Sequence, residues 1–168
     1  IFGWKNEDGT RRFRKAYSKM SRKNAKTELF GAISYILWLF GRRESPQLHC
    51  TATKKAQADI AFQAIRSMAN DLNRDSKKVR RLVKVQEHEI KIKGGGFIQK
   101  LGRDSKNEDG YDPLVGLIDE YHAHATDGMM EILETGMGNR DEPIILIITT
   151  AGENIYSPCA QFEENVCQ

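Results

Sequence analysis

With 168 residues, the chain is long enough to fold as a single domain around a sizeable hydrophobic core. Hydrophobic residues make up 39% and charged residues 29% of the sequence, and the mean hydropathy is -0.57. This balance excludes a disordered tail and a collagen-like repeat, and the longest apolar stretch, residues 33–40, is too short to cross a membrane.

Charge is divided unevenly along the chain, although the formal net charge is only +3. Residues 1–106 contain 25 Lys and Arg against 10 Asp and Glu, whereas residues 107–168 contain only Arg140 against 13 acidic residues. A basic half favours a polyanionic partner, either nucleotide phosphate or nucleic acid. The same division is compatible with two halves that neutralise each other across one fold.

The three cysteines, Cys50, Cys159 and Cys167, are odd in number and widely spaced. They indicate neither a disulfide framework nor a CxxC metal site, so we expect a reducing cytosol. The chain begins at Ile1 and has no signal-peptide pattern. We therefore interpret residues 1–168 as one domain cut from a longer protein.

The first third of the chain predicts a strand, a long helix and a second strand. Residues 16–20 are a weak strand candidate, and residues 26–40 carry apolar side chains at helical spacing on two opposite faces. We therefore expect the helix to be buried on two sides. After Pro46, residues 47–53 are typical of a short strand. One face of the helix carries Leu29, Ile33, Ile36, Leu37 and Phe40.

The middle of the chain predicts an amphipathic helix, a basic stretch and a β-hairpin. The helix covers residues 54–72, and the basic stretch covers residues 74–84. Residues 89–93 and 97–101 have extended character on either side of three glycines at 94–96, which predicts a hairpin with its turn at the glycines. A turn-rich loop is expected at residues 107–113.

Two wholly apolar strands are predicted at residues 114–118 and 144–148, with a helix between them at residues 127–137. Strands that are apolar on both faces and separated by helices are typical of a buried parallel sheet. The sequence therefore predicts an α/β fold.

The polar loop between the first strand and the long helix has features of a phosphate-binding loop. Lys26 can reach phosphate oxygens, Thr27 can bind Mg²⁺, and the helix N-terminus favours anions. Met20 and Ala25 stand where the GxxxxGK[ST] pattern has glycine. Because a Lys-Thr pair also opens many surface helices, the loop alone leaves both interpretations open. The loop consists of Ser21, Arg22, Lys23, Asn24, Ala25, Lys26 and Thr27.

Two carboxylates, Asp119 and Glu120, follow the first wholly apolar strand. A charge at the end of a buried strand is costly unless it has a partner. In phosphoryl-transfer ATPases, an Asp at this place holds the Mg²⁺ shell and the next Glu polarises water. Asp119 follows Lys26 by 93 residues, with another predicted strand pair between them. The two motifs together predict nucleotide hydrolysis.

Small residues, Thr149, Thr150, Ala151 and Gly152, follow the second wholly apolar strand. Ligands in open α/β sheets bind at the carboxyl ends of the strands, so these hydroxyls are candidates for sensing a γ-phosphate. An ordinary strand-to-loop turn has the same composition.

These motifs resemble the large terminase subunit, the ATPase that packages DNA into the capsids of tailed phages. Residues 21–27 are similar to its deviant Walker A motif, residues 119–124 to its Walker B continuation, and residues 149–152 to its coupling motif. Residues 1–27 resemble the family's lead-in to the loop, and residues 51–57 resemble a helicase-like segment. The resemblance spans nearly the whole chain.

The resemblance implies a three-layer P-loop NTPase fold (ASCE, RecA-like) with a mainly parallel sheet and a β-hairpin insertion. The strand that ends at Thr149 is then expected between the phosphate-loop strand and the strand that ends at Asp119. The family's nuclease domain has no counterpart in residues 1–168.

The function that the resemblance implies is Mg²⁺-dependent ATP hydrolysis that drives double-stranded DNA into a procapsid. Lys26 would neutralise phosphate charge, Thr27 and Asp119 would bind Mg²⁺, Arg22 would reach the γ-phosphate in cis, and Glu120 would be the catalytic base. Residues 149–151 would couple phosphate state to DNA. The implied partners are the portal protein, the small terminase subunit and further copies in a ring, in the host cytoplasm at the portal.

Two alternatives remain open from the sequence: a helicase-like or repair ATPase with the same core, and a non-catalytic prophage remnant. A structural role is expected for His122 and His124 rather than metal binding. Trp4 and Trp38 are expected in the core, and Cys50 is expected to be inert. The basic stretch is compatible with a DNA-backbone contact or a solvated face.

Overall fold

The computed structural model describes residues 2–41, 44–53, 55–101, 111–152 and 154–166. Most of the loop predicted at 107–113 lies outside these residues. Short helical turns cover Tyr121–Ala123 and Met137–Asn139. The strands are β1 (Lys15–Lys19), β2 (Gln47–Thr51), β3 (Val83–Val85), β4 (Ile90–Ile92), β5 (Phe97–Leu101), β6 (Pro113–Ile118) and β7 (Ile144–Thr149). The helices are α1 (Lys26–Phe40), α2 (Lys55–Asp75), α3 (Lys77–Leu82), α4 (Gly128–Gly136) and α5 (Pro158–Val166).

The seven strands form one sheet in the order β1-β7-β6-β2-β5-β4-β3. The first five strands in this order are parallel, and β4 and β3 are antiparallel at one edge. β7 lies between β1 and β6, as the resemblance implies. The predicted hairpin of β4 and β5 is confirmed, and because β5 also pairs with β2, the hairpin is continuous with the central sheet.

Alternating side chains of β7 divide the interior into two cores, one on each face of the sheet. Leu146 and Ile148 pack in the core that contains Trp38 of α1 and Phe62 of α2. Ile145 and Ile147 pack in the other core, with side chains of α4 and α5. Successive side chains of a strand point to opposite faces, so the apolar strand requires cover on both sides. The predicted three-layer architecture is confirmed.

The prediction that α1 is buried on two sides is wrong. Its buried face carries Gly31, Tyr35 and Trp38, which lie against the sheet and α2, where a Cβ on Gly31 would lie 3.3 Å from Ile65 Cγ1. Ile36 and Phe40, predicted to be in the core, are 53% and 72% exposed. Leu29, on the same face, is also exposed. A helix on the outside of a sheet has only one face to bury there, and the described residues leave this apolar face uncovered.

The two tryptophans have different environments. Trp38 is fully buried, as predicted, and its indole N–H donates to the Pro46 carbonyl at 2.7 Å. The prediction that Trp4 lies in the core is wrong, because Trp4 is 61% exposed. It lies near the bridge between Lys5 and Arg11, with its ring centroid 5.8 Å from that of Phe13. A two-stranded bridge has no second layer that would bury an indole.

Arg140 fixes the loops that precede β2, β6 and β7. Its Nε donates to Asp112 Oδ1 at 2.8 Å, its Nη1 to the Glu44 carbonyl at 2.9 Å, and its Nη2 to the Ser45 carbonyl at 3.0 Å. These loops lie at the amino ends of the parallel strands. The planar fork of a guanidinium satisfies several carbonyl groups at once, so Arg140 has a structural role at this edge.

Among the described residues, every helix is too short or too polar to span a membrane.

A buried histidine lies in the middle of the sheet. His49 of β2 is 1% exposed, and its ring makes edge contacts with Phe97 and Tyr111. Nε2 lies 3.2 Å from Gln47 Oε1, and Nδ1 has no hydrogen-bond partner among the described residues. Burial lowers the pKa of His49 from 6.5 to about 4, because the charged imidazolium is poorly solvated there.

We predict that His49 makes the fold sensitive to acid. Because the folded-state pKa is depressed, the unfolded chain binds a proton first, and stability falls as the pH drops from 6.5 towards about 4. The loss attributable to His49 is about 3 kcal/mol. Denaturant titrations across this range are expected to give a shallower pH dependence for His49→Gln. The exposed His88→Gln serves as the control, and an equal slope for His49→Gln and parent would contradict the prediction.

Candidate functional site

The polar loop of residues 21–25 begins at the carboxyl end of β1 and leads directly into α1. The Met20 N–H donates to the Thr149 carbonyl at 3.0 Å, which holds the loop beside the end of β7. Within the loop, the Asn24 amide donates to Ser21 Oγ at 2.6 Å. The first helical hydrogen bond runs from the Leu29 N–H to the Ala25 carbonyl at 2.9 Å. The loop is therefore anchored at both ends.

Two loop residues have left-handed backbone conformations. Lys23 has φ 66°, and Ala25 has φ 49° and ψ 30°. This conformation brings Cβ close to the following carbonyl oxygen, so it favours glycine. Ala25 therefore retains the backbone shape that glycine would have at this position, at a cost in strain. Strained backbone of this kind concentrates at binding and catalytic loops.

Two side-chain contacts join the loop to the end of β6. Lys26 Nζ lies 2.7 Å from Glu120 Oε1. Thr27 Oγ1 donates to Asp119 Oδ2 at 2.8 Å, while the other Asp119 oxygen accepts the Glu120 N–H at 2.8 Å. Residues more than 90 positions apart in the sequence are thus in direct contact. The loop and the acidic pair therefore lie side by side in the fold.

The acidic pair lies in a partly desolvated environment. Asp119 is 4% exposed, and burial raises the pKa of its carboxyl group. The hydrogen bonds from Thr27 and from the Glu120 amide act in the opposite direction, because they stabilise the carboxylate. A cation beside Asp119 would relieve the desolvation of its charge.

An open cavity of about 430 Å³ lies in front of these contacts. Every predicted loop residue except Ser21 lines it, and the exposed Arg22 lies at its wall. Glu28, which the motif analysis did not select, is also part of the lining. Its position one residue after Thr27 is the sequence signal that identifies it. The volume lies within the range typical of ligand pockets.

The predicted coupling residues lie at the neighbouring end of β7. Thr149 and Thr150 are buried and Ala151 is exposed. Thr149 Oγ1 accepts the His122 N–H at 3.0 Å and lies 3.0 Å from His122 Nδ1. His122 therefore joins the turn after β6 to the end of β7, a contact that the sequence did not predict.

Other residues that the sequence analysis weighed lie outside this cavity. Gly94 and Gly95 have φ 110° and 104° in the β4–β5 turn, as predicted. Cys50 is fully buried, and burial raises the pKa of its thiol to about 12, so the thiol is protonated at neutral pH. His124 is buried beside Tyr121, with ring centroids 5.6 Å apart.

The strand order and the loop that leads into α1 are those of a P-loop NTPase of the ASCE group. Within this class, residues 1–167 match the family of terminase large subunit ATPase domains, and the chain belongs to that family. Membership in a family of ATPase domains implies, in general, ATPase chemistry with a nucleotide ligand.

Two solved structures and one curated relative are similar to this chain. The large terminase of bacteriophage HK97 has a TM-score of 0.77 at 19% identity, over 92% of this chain and 33% of that one. The large terminase ATPase domain of Thermus phage P74-26 has a TM-score of 0.67 at 19% identity, over 87% of this chain and 63% of that one. Protein YmfN of Escherichia coli is 34% identical over 100 residues, 60% of this chain and 20% of that protein. The chain thus spans about a fifth of YmfN and a third of the HK97 protein.

We predict that Ala25→Gly stabilises the fold, because it relieves the left-handed strain at φ 49°. The expected gain in the free energy of unfolding is about 1 kcal/mol. The matched control is Ala32→Gly in the interior of α1, where glycine is expected to cost about 1 kcal/mol. Denaturant unfolding of both variants checks the signs, and destabilisation by both would contradict the strain at Ala25.

Proposed function

We propose that this chain binds ATP at the loop of residues 21–27, hydrolyses it, and couples hydrolysis to translocation of double-stranded DNA into a procapsid. The observation that carries the proposal is the double contact between loop and acidic pair, Lys26 with Glu120 and Thr27 with Asp119. A lysine, a hydroxyl and two carboxylates in this arrangement supply what phosphoryl transfer requires, namely positioning and charge stabilisation. Membership of the terminase family supports the choice of reaction.

Lys26 and the loop backbone would hold the phosphates. The Lys26 ammonium group lies at the start of α1, where the unpaired N–H groups of the first turn also favour anions. Arg22 is exposed at the cavity wall, where its guanidinium is free to turn towards a γ-phosphate in cis. Together they would offset the phosphate charge.

The residues at the site fit a magnesium ion. Thr27 Oγ1 and Asp119 Oδ2 are hard oxygen donors 2.8 Å apart. Among the described residues, no group of three or more His, Cys, Asp or Glu side chains is arranged to hold a metal alone. Mg²⁺ takes one or two protein ligands and completes its shell with water and substrate phosphate. The bound ion would supply charge neutralisation at the transferred phosphoryl group.

Glu120 is the proposed general base. Glu120 follows Asp119 after the end of β6, and it lines the cavity. Its carboxylate can accept a proton from water once a phosphate has replaced it as the partner of Lys26. The left-handed backbone of Glu120, with φ 51°, turns its side chain back towards the loop.

The DNA-packaging role brings further partners. Large terminase subunits act in general with DNA, a portal protein and a small terminase subunit, and we propose the same partners for this chain in the host cytoplasm. A ring of copies at the portal would let each ATPase site act on the same DNA. The helicase-like and non-catalytic alternatives are not favoured, because the family match covers residues 1–167.

We predict that Glu120→Gln separates nucleotide binding from hydrolysis. The amide keeps the size of the carboxylate but accepts no proton, so turnover is expected to fall by about 10²–10⁴ while ATP affinity survives. Asp119→Asn is the matched comparison, and it is expected to weaken Mg²⁺-dependent ATP binding as well as turnover. Both are measured as ATPase rate and ATP affinity in a protein that assembles and turns over. Hydrolysis at the parent rate by Glu120→Gln would place the base elsewhere.

We predict that the chain binds DNA weakly, without sequence preference and with steep salt dependence. The candidate surface is exposed on α3 and β3 and consists of Lys77, Lys78, Arg80, Arg81 and Lys84. With about five phosphate contacts, affinity is expected to fall by about 10²–10³ between roughly 50 and 200 mM salt.

The measurement is fluorescence anisotropy with duplexes of unrelated sequence. Replacing Lys77 and Lys78 by Gln is expected to reduce the salt slope by about two phosphate contacts. The matched control replaces Lys15 and Lys19 on β1, at the opposite edge of the sheet, and is expected to leave the slope unchanged. A salt-independent affinity or a preferred sequence would contradict the prediction.

A further inference from the structure

We propose that His122 is a positioning residue that transmits the state of the Lys26–Glu120 pair to the carboxyl end of β7. The proposal rests on the proposed function, because it takes ATP phosphate to be the ligand that separates Lys26 from Glu120. It assigns a role to a side chain that contacts both acidic and hydroxyl groups at the site without lining the cavity itself.

The short helical turn Tyr121–Ala123 places His122 between two strand ends. The turn follows the left-handed residue Glu120 directly, so the backbone after β6 turns towards β7. The His122 N–H and ring Nδ1 both lie 3.0 Å from Thr149 Oγ1. The backbone contact fixes the turn, and the ring adds a second contact that depends on side-chain orientation.

The other hydrogen bonds of Thr149 determine whether His122 Nδ1 donates to Thr149 Oγ1 or accepts from it. Thr149 Oγ1 donates its single hydrogen to the Thr150 carbonyl at 3.0 Å. With that hydrogen bond made, Thr149 Oγ1 accepts from His122 and Nδ1 is the donor, while Thr150 Oγ1 lies 3.4 Å from the same nitrogen. The same Nδ1–H is close to a second acceptor, because Glu120 Oε2 lies 3.4 Å away.

The Glu120 carboxylate lies between Lys26 and His122. Oε1 is paired with Lys26 at 2.7 Å, while Oε2 is buried and has no hydrogen-bond partner among the described residues. A buried carboxylate oxygen without a donor is costly, and His122 Nδ1 is a donor within reach. If a phosphate pairs with Lys26, Glu120 Oε1 loses its cationic partner. The carboxylate can then accept a hydrogen bond from His122 Nδ1 instead.

The proposed relay gives His122 two arrangements, one in which Nδ1 donates to Thr149 and one in which it donates to Glu120. The first arrangement leaves Glu120 Oε2, after β6, without a donor, and the second removes the ring contact from Thr149 Oγ1 at the end of β7, so the state of Glu120 alters the contacts of Thr149. The packing leaves little room for other movements, because a Cβ on Gly152 would lie only 2.9 Å from His122 Cβ. Tyr121 also packs edge-on against Phe162 of α5, with centroids 6.2 Å apart. A shift of the turn is therefore passed to β7 and α5.

The test compares nucleotide binding with the response at the end of β7 in the same protein. ATP affinity is measured by calorimetry with Mg²⁺ and a non-hydrolysable ATP analogue. Amide hydrogen exchange is followed in the peptide that carries Thr149 to Gly152, with and without the analogue. We expect the analogue to change exchange in the parent peptide by at least about fivefold.

His122→Ala is expected to bind the analogue within about threefold of the parent, yet to lose the exchange response at Thr149–Gly152. In an active assembly its kcat is expected to fall while KM is unchanged. His122→Asn, whose amide can replace the Nδ1 donor, is expected to restore the response. Thr149→Val is expected to lose the response, and combining it with His122→Ala is expected to add nothing further.

The outcomes separate this inference from the proposed function. A His122→Ala variant that binds the analogue and keeps the parent response would overturn the relay and leave the proposed function intact. Failure of His122→Asn to restore the response, with folding and binding retained, would also overturn the relay. A folded parent that binds no nucleotide would overturn the proposed function itself, and the relay with it.

Discussion

The insertion of β7 between β1 and β6 is the constraint on which the site depends. In a parallel sheet all carboxyl ends lie at one edge, so the loop after β1, the acidic pair after β6 and the threonines after β7 meet without any long excursion of the chain. The Met20 N–H bond to the Thr149 carbonyl extends this pairing by one residue beyond the strands. The positions of Lys26 and Asp119 are therefore set by hydrophobic burial of strands that contain no catalytic residue.

Several buried polar groups lie together at the carboxyl ends of the parallel strands. Lys26, Asp119 and Thr149 are all buried, and each is retained by a partner from a neighbouring strand or loop. Buried charges are tolerated when they are paired and hydrogen-bonded, and removing one partner leaves the other unsatisfied. Arg140 has the equivalent role at the amino ends of the strands, where its guanidinium donates to the carbonyls of Glu44 and Ser45. Charge is thus organised at both ends of an apolar sheet.

Much of this arrangement could be predicted from the sequence, because the strongest signals coincide with the strongest physical constraints. The apolar strands β6 and β7, the bounds of α1 and the meeting of Lys26 with the acidic pair all follow from burial and from strand polarity. The buried face of α1 could not be predicted, since apolar side chains cover most of its circumference and only tertiary packing selects Tyr35 and Trp38. Helix α5 could not be predicted, because the side chains that it contributes to the core are Cys159 and Phe162, and two positions leave no periodic apolar pattern. The contact of His122 with Thr149 depends on a three-residue turn, too short to leave a periodic pattern.

The Lys26–Glu120 ion pair has a thermodynamic consequence for any anion that enters the cavity. A free lysine side chain loses about 1.5–2 kcal/mol of rotamer entropy when it is immobilised. In this chain Glu120 has already immobilised Lys26, so most of that entropy is lost during folding rather than during binding. The incoming anion must instead break a charge-assisted hydrogen bond, which is an enthalpic cost. The position of Lys26 is therefore fixed before the ligand binds, but its charge is already neutralised by Glu120. The balance between the saved entropy and the enthalpy of the broken bond determines the affinity for the ligand.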